Sequence, residues 1–180
     1  MIIGLSGYAR SGKDEVANIL VKNFGFKRVA FADPIRSLLL RVNPILENGK
    51  RVNEMVKEFG WNLTKAQSET RRLLQEIGVA GREMFGDDVW IKAAFKDVNL
   101  YIDNVVVSDV RFRNEANFVI TDQGRLWRVL REGVGPVNNH ISETDLDDAY
   151  FNAYVPNNGT LEELEAYVTR LIGRDAHKII

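Results

Sequence analysis

A chain of 180 residues with 45% apolar content is long and apolar enough for one compact folded domain with an insertion, and too apolar to be disordered. Its 24 Lys plus Arg stand against 25 Asp plus Glu, a formal charge of −1 that argues against a broad basic face for polymeric nucleic acid but leaves room for a local cationic pocket. With no cysteine and two histidines, the chain has no disulfide framework, thiolate metal site or cysteine nucleophile, and an all-protein zinc site is disfavoured.

The opening MIIGLSG holds a short apolar run, Ile2, Ile3 and Leu5, bounded by glycine, which predicts a buried parallel strand. It lacks the basic n-region of a signal peptide, and no apolar run in the chain reaches membrane-spanning length, so a soluble cytoplasmic protein is expected. Val16, Ile19, Leu20 and Phe24 then recur at helical spacing, with Gly25 placed to cap the helix. Lys27 to Phe31 reads as a second strand. Asp33-Pro34 reads as the cap and first position of a helix that Asn43-Pro44 ends, and Leu46 to Arg51 as an exposed loop. The stretch 52–98 looks helical, with a Thr64/Gln67 capping box opening a helix that runs to Gly78 and another helix starting near Asp87-Asp88. So much helix between two strands exceeds a simple crossover, so 44–98 is read as an insertion forming one wall of a cleft.

Asn104 to Ser108 is the most strand-like segment, followed by a short helix over 115–121 and a strand over 124–130. The polar, glycine-containing stretch 131–146 reads as a loop or flap. Asn152 to Val155 is the last strand, and Thr160 with Glu163 caps a final helix. Strands alternating with helices predict a parallel α/β sheet in one domain, 1–180, with ligands at the strands' C-terminal ends.

Gly7-Tyr8-Ala9-Arg10-Ser11-Gly12-Lys13 fits G-x-x-x-x-G-K between a predicted strand and helix. Backbone N–H groups of such a loop curl around phosphate oxygens, the helix N-terminus adds partial positive charge, and Lys13 reaches the β- and γ-phosphates. The pattern then calls for Ser or Thr as the Mg²⁺ ligand, but Asp14 and Glu15 follow. Asp14 either ligates Mg²⁺, directly or through water, or simply suits the helix N-terminus. Asp109, ending the Val105–Val107 run, would hold the metal or its waters. Val110 follows it where a hydrolytic ATPase usually has an acid, which favours transfer to an acceptor over hydrolysis.

The stretches GYARSGKD, FADPIR, LLQEIGVAGREMFGDDVW, VVSDVRFRNEA, HISE and NNGTLEEL, in this order over nearly the whole chain, resemble the phage-type deoxynucleoside monophosphate kinases. That family also carries GKD in the phosphate loop. This chain departs from it at Glu15, where Thr is usual, and at Arg113, where Pro is usual. The resemblance implies a three-layer P-loop fold of the nucleoside monophosphate kinase type, with a parallel sheet, a helical acceptor-binding insertion and a short lid at 131–146. It implies ATP and Mg²⁺ as cofactors, a deoxynucleoside 5′-monophosphate as acceptor, and suggests a homodimer.

Because the acceptor is itself a phosphate, such transfer depends on positioning and cations rather than a strong base. Lys13 and Mg²⁺ cover the donor. Gly7, Ala9, Arg10, Ser11, Gly12, Asp14 and Glu15 line its phosphates, and Asn158 in the turn after the last strand lies where such kinases hold adenine. Arg36, Arg72, Arg82 and above all Arg111 are candidates for the acceptor phosphate. Asp33 could bind the acceptor's sugar, position its phosphate, or merely cap a helix. Gln75 and Trp90 could read or stack on its base, although a Trp is as readily core. Arg131 is the candidate lid arginine, Arg128 a structural one, and His140 either touches a phosphate or is a plain loop residue. Two rivals stay open: another small-molecule P-loop kinase, resembling dephospho-CoA kinase or phosphomevalonate kinase, and a non-catalytic ATP-binding regulatory module.

Overall fold

The computed structural model describes residues 1–121, 123–137 and 141–176. It divides into two compact units: Met1–Ala30 with Asp97–Ile180, and Phe31–Lys96. Among the described residues no helix is long and apolar enough to cross a membrane.

The first unit is built on five parallel strands, β1 (Ile2–Ser6), β2 (Lys27–Val29), β3 (Val105–Val107), β4 (Arg125–Leu130) and β5 (Ala153–Pro156), in the order β2-β3-β1-β4-β5. β1 is central and buried at every position. Its alternating side chains serve two faces. Ile3 and Leu5 join a core with Val16, Ala17 and Leu20 of α1 (Lys13–Phe24) and with Leu164, Val168 and Leu171 of the C-terminal helix, Leu161–Ala176. On the other face a Cβ at Gly4 would meet Val110, Leu126 and Val119 of the helix Arg113–Thr121. Helices therefore cover both faces, as an all-parallel sheet requires. Trp127 is fully buried in this core, and its indole N–H donates to the buried Asp175 carboxylate at 3.3 Å. The C-terminal helix opens on the capping box read from the sequence: Thr160 N–H donates to Glu163 Oε2 at 2.8 Å, and Glu163 N–H to Thr160 Oγ1 at 3.3 Å.

The second unit is helical: α2 (Ala32–Val42), α3 (Val52–Ala66), α4 (Ser68–Phe85) and α5 (Val89–Phe95). In chain order the later helices are α6 (Arg113–Thr121), α7 (Ile141–Thr144) and α8 (Leu161–Ala176). Leu39, Leu46, Val52 and Met55 form a second core, with Leu73, Leu74 and Ile77 of α4 packed on it.

Several sequence expectations shift. β2 stops at Val29 because Phe31 has already turned helical, with φ −64° and ψ −24°. Phe31, not Asp33, is the N-cap of α2, and Asp33 sits in the first turn, paired with Arg36 at 2.8 Å. Leu46 is buried rather than exposed, held in a tight turn by its N–H to Lys50 O at 2.8 Å. Thr64 opens no helix. It is buried inside α3 and donates back to Gly60 O at 2.9 Å, below a bend where Gly60 has φ 75° and ψ 162°. α4 starts at Ser68 and runs through the buried Gly78 to Phe85, because Gly78 does not take the positive φ that ends a helix, which falls instead to Gly86 with φ 92°. The flap contains the helical turn α7, whose one acidic side chain, Glu143, is paired with Arg111 as described below.

Candidate active site

Four C-terminal strand ends of the first unit lead into the residues of interest: Ser6 into Gly7, Val107 through Ser108 into Asp109, Leu130 into Arg131, and Pro156 into Asn157. The phosphate loop turns on three positive φ angles, Gly7 at 139°, Arg10 at 69° and Gly12 at 102°. Glycine is required twice by space as well as by angle. A Cβ on Gly7 would lie 2.4 Å from Val129 O, and one on Gly12 2.0 Å from Asn157 Nδ2. Asn157 Nδ2 donates to Ser11 O at 2.9 Å, tying the end of β5 to the loop. The Ser11 hydroxyl is buried and has no hydrogen-bond partner. An unpaired buried hydroxyl in a turn of tightly curled backbone is what a cradle for phosphate oxygens presents.

Lys13 Nζ donates to two carbonyls of its own loop, Gly7 O at 2.6 Å and Tyr8 O at 2.8 Å. Burial above all, and then the Arg111 guanidinium, lower its pKa from 10.5 to about 8, while Asp14, Glu143 and Asp109 act in the opposite sense. The site therefore gathers one further cation and three carboxylates around the Lys13 ammonium. Asp14, in the first turn of α1, pairs with Arg28 at 2.6 Å, and Arg28 also reaches Ser108 Oγ at 3.2 Å. Asp14 and Asp109 are hard oxygen donors that both act on Lys13, a donor set that fits Mg²⁺ carried on a phosphate chain. Ala9 is half-buried, and Arg10 and Glu15 are exposed.

Arg111 is held at both ends. Its backbone N–H donates to the buried Glu115 at 2.8 Å, and its Nη1 pairs with Glu143 Oε1 at 2.7 Å. It is one of three arginines that grip the 141–148 segment. Arg113 takes Asp145 through its backbone N–H at 2.8 Å and also pairs with Asp148. Arg128 is buried and gives Nη1 to Leu146 O at 2.8 Å and Nη2 to Asp147 at 2.5 Å. Its guanidinium also lies over the rings of Tyr8, at 5.1 Å, and Phe151, at 5.3 Å. Tyr8 of the phosphate loop closes this network by donating its hydroxyl to Asp147 at 2.9 Å, and burial followed by Asp147 raises its pKa.

The remaining sequence candidates fall as follows. Arg131 is exposed just past β4, and His140 lies outside the described residues. Asn158 accepts from Glu132 N–H at 2.8 Å and, with Asn157, Gly159, Thr160, Tyr167 and Arg170, borders an open pocket of about 370 Å³. In the second unit, Arg36 pairs with Asp33 and stands 5.8 Å over the Trp61 ring. Arg72 is exposed and occupied by Glu76, 2.8 Å away. Gln75, Gly78 and Arg82 share one face of α4, where Gln75 and Arg82 are half-buried and Arg82 Nη1 lies 3.4 Å from Gly78 O. Trp90 is buried. Its Nε1 donates to Gly78 O at 2.9 Å and its ring covers Gly81, so packing occupies it rather than an exposed stacking face. Sequence reading placed Asn157 with Asn158 and Gly159 where such kinases hold adenine but not as a brace of the phosphate loop, and it gave no role to Tyr8, Glu115, Glu143 or Asp147. The one signal available was the density of carboxylates in ISETDLDD following three arginines.

A family model described as deoxynucleotide monophosphate kinase matches residues 46–168, a stretch that begins after the phosphate loop. A protein of Acanthamoeba polyphaga mimivirus whose name proposes that same activity is 26% identical over 186 residues, covering 93% of this chain and 94% of its own. An uncharacterized protein of Ictalurid herpesvirus 1 (strain Auburn), ORF76, is 27% identical over 173 residues, covering 92% of this chain and 64% of its own. Among solved structures, a shikimate kinase from Aquifex aeolicus aligns over 98% of both chains at 14% identity and a TM-score of 0.49.

Proposed function

This chain belongs to the deoxynucleotide monophosphate kinase family, and from that premise we propose that it transfers the γ-phosphoryl group of ATP to a deoxynucleoside 5′-monophosphate, giving the diphosphate. The observation that carries the reading is the phosphate loop itself. A buried, unpartnered Ser11 hydroxyl and a half-buried Lys13 stand in a turn closed by Gly7 and Gly12, with the Arg111 charge close enough to lower the Lys13 pKa.

Lys13 leaves its loop carbonyls for the β- and γ-phosphates and follows the charge as the phosphoryl group moves. The loop backbone and Ser11 hold the donor's oxygens. Mg²⁺, when bound with ATP, screens the phosphate charges, and Asp14 and Asp109 are the residues to hold it or its waters. Asp14 would be available for that role, because its pair with Arg28 is largely exposed and worth little. Arg111 takes the acceptor phosphate and Arg131 closes on the group in flight. The pocket bordered by Asn157 and Asn158 accepts the donor's base. The acceptor's attacking oxygen is already anionic, so no general base is assigned.

The test is an ADP-release assay with a panel of deoxynucleoside and ribonucleoside monophosphates, with dephospho-coenzyme A as a control acceptor. Deoxynucleoside monophosphates should be phosphorylated, and Lys13→Ala should remove roughly 3 kcal/mol or more of transition-state stabilisation with the fold intact. Turnover on the control alone would refute the reading.

A further inference from the structure

We propose that Glu143 is a positioning residue that fixes the Arg111 guanidinium for the acceptor phosphate. The inference rests on the assignment of Arg111 to that phosphate and adds to it a residue with no role so far. A long arginine side chain loses much rotamer freedom when it is held, so an arginine kept ready in the absence of substrate needs partners that hold it. Arg111 has them at both ends. Glu115 fixes its backbone, accepting from the N–H groups of Arg111 and Phe112 at 2.8 and 3.1 Å. Glu143 fixes its tip at 2.7 Å.

Three features separate this contact from an ordinary surface ion pair. The Glu143 side chain is only 9% exposed, whereas that of Arg111 is 38% exposed. The carboxylate is thus the sequestered partner, and part of the guanidinium still reaches solvent. The pocket lined by Gly7, Tyr8, Arg111, Ser142 and Glu143 has about 10 Å³ of free space, room for roughly one water. The edge of Arg111 that meets Glu143 is therefore closed to a phosphate, and the remaining donors of the fork are left to bind one. Finally, the segment carrying Glu143 is anchored independently by Arg113 and Arg128, so the carboxylate is a fixed point rather than a drifting loop group.

The test compares Glu143→Gln, Glu143→Asp, Arg111→Ala and the Glu143→Gln/Arg111→Ala double variant. In Glu143→Gln the KM for the deoxynucleoside monophosphate should rise about tenfold while the KM for ATP holds, the change expected when a charge-assisted hydrogen bond is weakened. Glu143→Asp should recover part of the loss, and Glu143→Gln should add nothing in the Arg111→Ala background. A substrate-free readout runs beside the kinetics: the Nε–H NMR signal of Arg111, assigned through Arg111→Lys, should show an ordered side chain that becomes mobile in Glu143→Gln. Ordered Arg111 in Glu143→Gln, an equal KM effect with and without Arg111, or tighter acceptor binding in Glu143→Gln would each overturn the proposal, the last by making Glu143 a competitor for the phosphate. If Arg111 loses order on Glu143→Gln but the unaltered protein phosphorylates no deoxynucleotide, the positioning stands and the functional assignment falls.

Discussion

The side-chain amide of Asn157 donates to the Ser11 carbonyl across 2.9 Å, joining positions 146 apart in the chain, and its nitrogen occupies the space a Cβ on Gly12 would need. The end of β5 is therefore part of the phosphate loop, holding its outer turn from behind. Gly12→Ala meets two obstacles, a φ of 102° and a 2.0 Å approach to Asn157 Nδ2. We expect it to cost about 1–3 kcal/mol and to weaken ATP binding well beyond the effect of Asn157→Ala. The double variant Gly12→Ala/Asn157→Ala should recover only part of the loss, because relieving the clash leaves the backbone angle strained. Thermal melts and ATP titration check this, and full recovery in the double variant would assign the whole cost to the clash.

Lys13 carries a pH signature. Its pKa is lowered to about 8 in the folded protein and returns to 10.5 on unfolding. Below about pH 8 both states hold the proton and the cost of burying the charge is fully present. Between the two values the unfolded chain binds more protons, so this group's contribution to stability rises with pH. Lys13→Met should therefore be more stable than the parent at pH 7, by roughly 1–3 kcal/mol after the loss of the bonds to Gly7 and Tyr8, and the gain should shrink toward pH 10. Catalysis needs the protonated form. Accordingly kcat/KM for ATP should fall above about pH 8, whereas kcat persists to higher pH because bound phosphates restore the proton. A destabilised Lys13→Met would mean that its carbonyl bonds outweigh the burial cost.

The elements that could be read from the sequence are those whose causes are local. β1, the phosphate loop and α1 lie within 24 residues, and glycine spacing with helical periodicity is enough to draw them. The Thr160/Glu163 box is likewise complete in four residues. Thr64 and Gln67 have the same local pattern, yet the Thr64 hydroxyl is used inside α3 and the helix boundary falls at Gln67. Packing around a buried threonine decided that case, and no single-sequence rule sees it. The site divides in the same way. The loop motif is contiguous, but the pairing of Arg111 with Glu143 joins residues 32 apart, and that of Arg128 with Asp147 joins residues 19 apart. Nothing local in either segment selects these partners from the other charges of a nearly neutral chain.

The Arg128–Asp147–Tyr8 network should hold the 141–148 segment to the phosphate loop. Arg128 is 8% exposed and satisfies a carbonyl, a carboxylate and two ring faces at once, a combination that the single ammonium of lysine cannot reproduce. Arg128→Lys should cost about 2–4 kcal/mol and make the segment sensitive to limited proteolysis. Tyr8→Phe keeps the ring beneath the guanidinium and loses only the hydroxyl bond to Asp147, so it should cost about 1 kcal/mol. Equal melting temperatures for Arg128→Lys and the parent would show that the network adds nothing to the fold.

Gly81 and Trp90 allow a test of sign. In the middle of a helix, Gly→Ala ordinarily stabilises by about 1 kcal/mol. At Gly81 a Cβ would lie 2.3 Å from Trp90 Cζ2, and the indole is fixed at the neighbouring Nε1 by the 2.9 Å bond to Gly78 O. Overpacking should win, and Gly81→Ala should destabilise by about 1–3 kcal/mol. Trp90→Phe removes the indole donor and should cost about 1–2 kcal/mol for the carbonyl left behind. A purely structural Trp90 requires both variants to lower the melting temperature while the relative KM values of the four deoxynucleoside monophosphates stay in proportion. If Trp90→Phe instead changes base preference at an unchanged melting temperature, Trp90 swings out of its packing against Gly81 to stack on the acceptor, and Gly81→Ala, by favouring that swing, should then lower the KM.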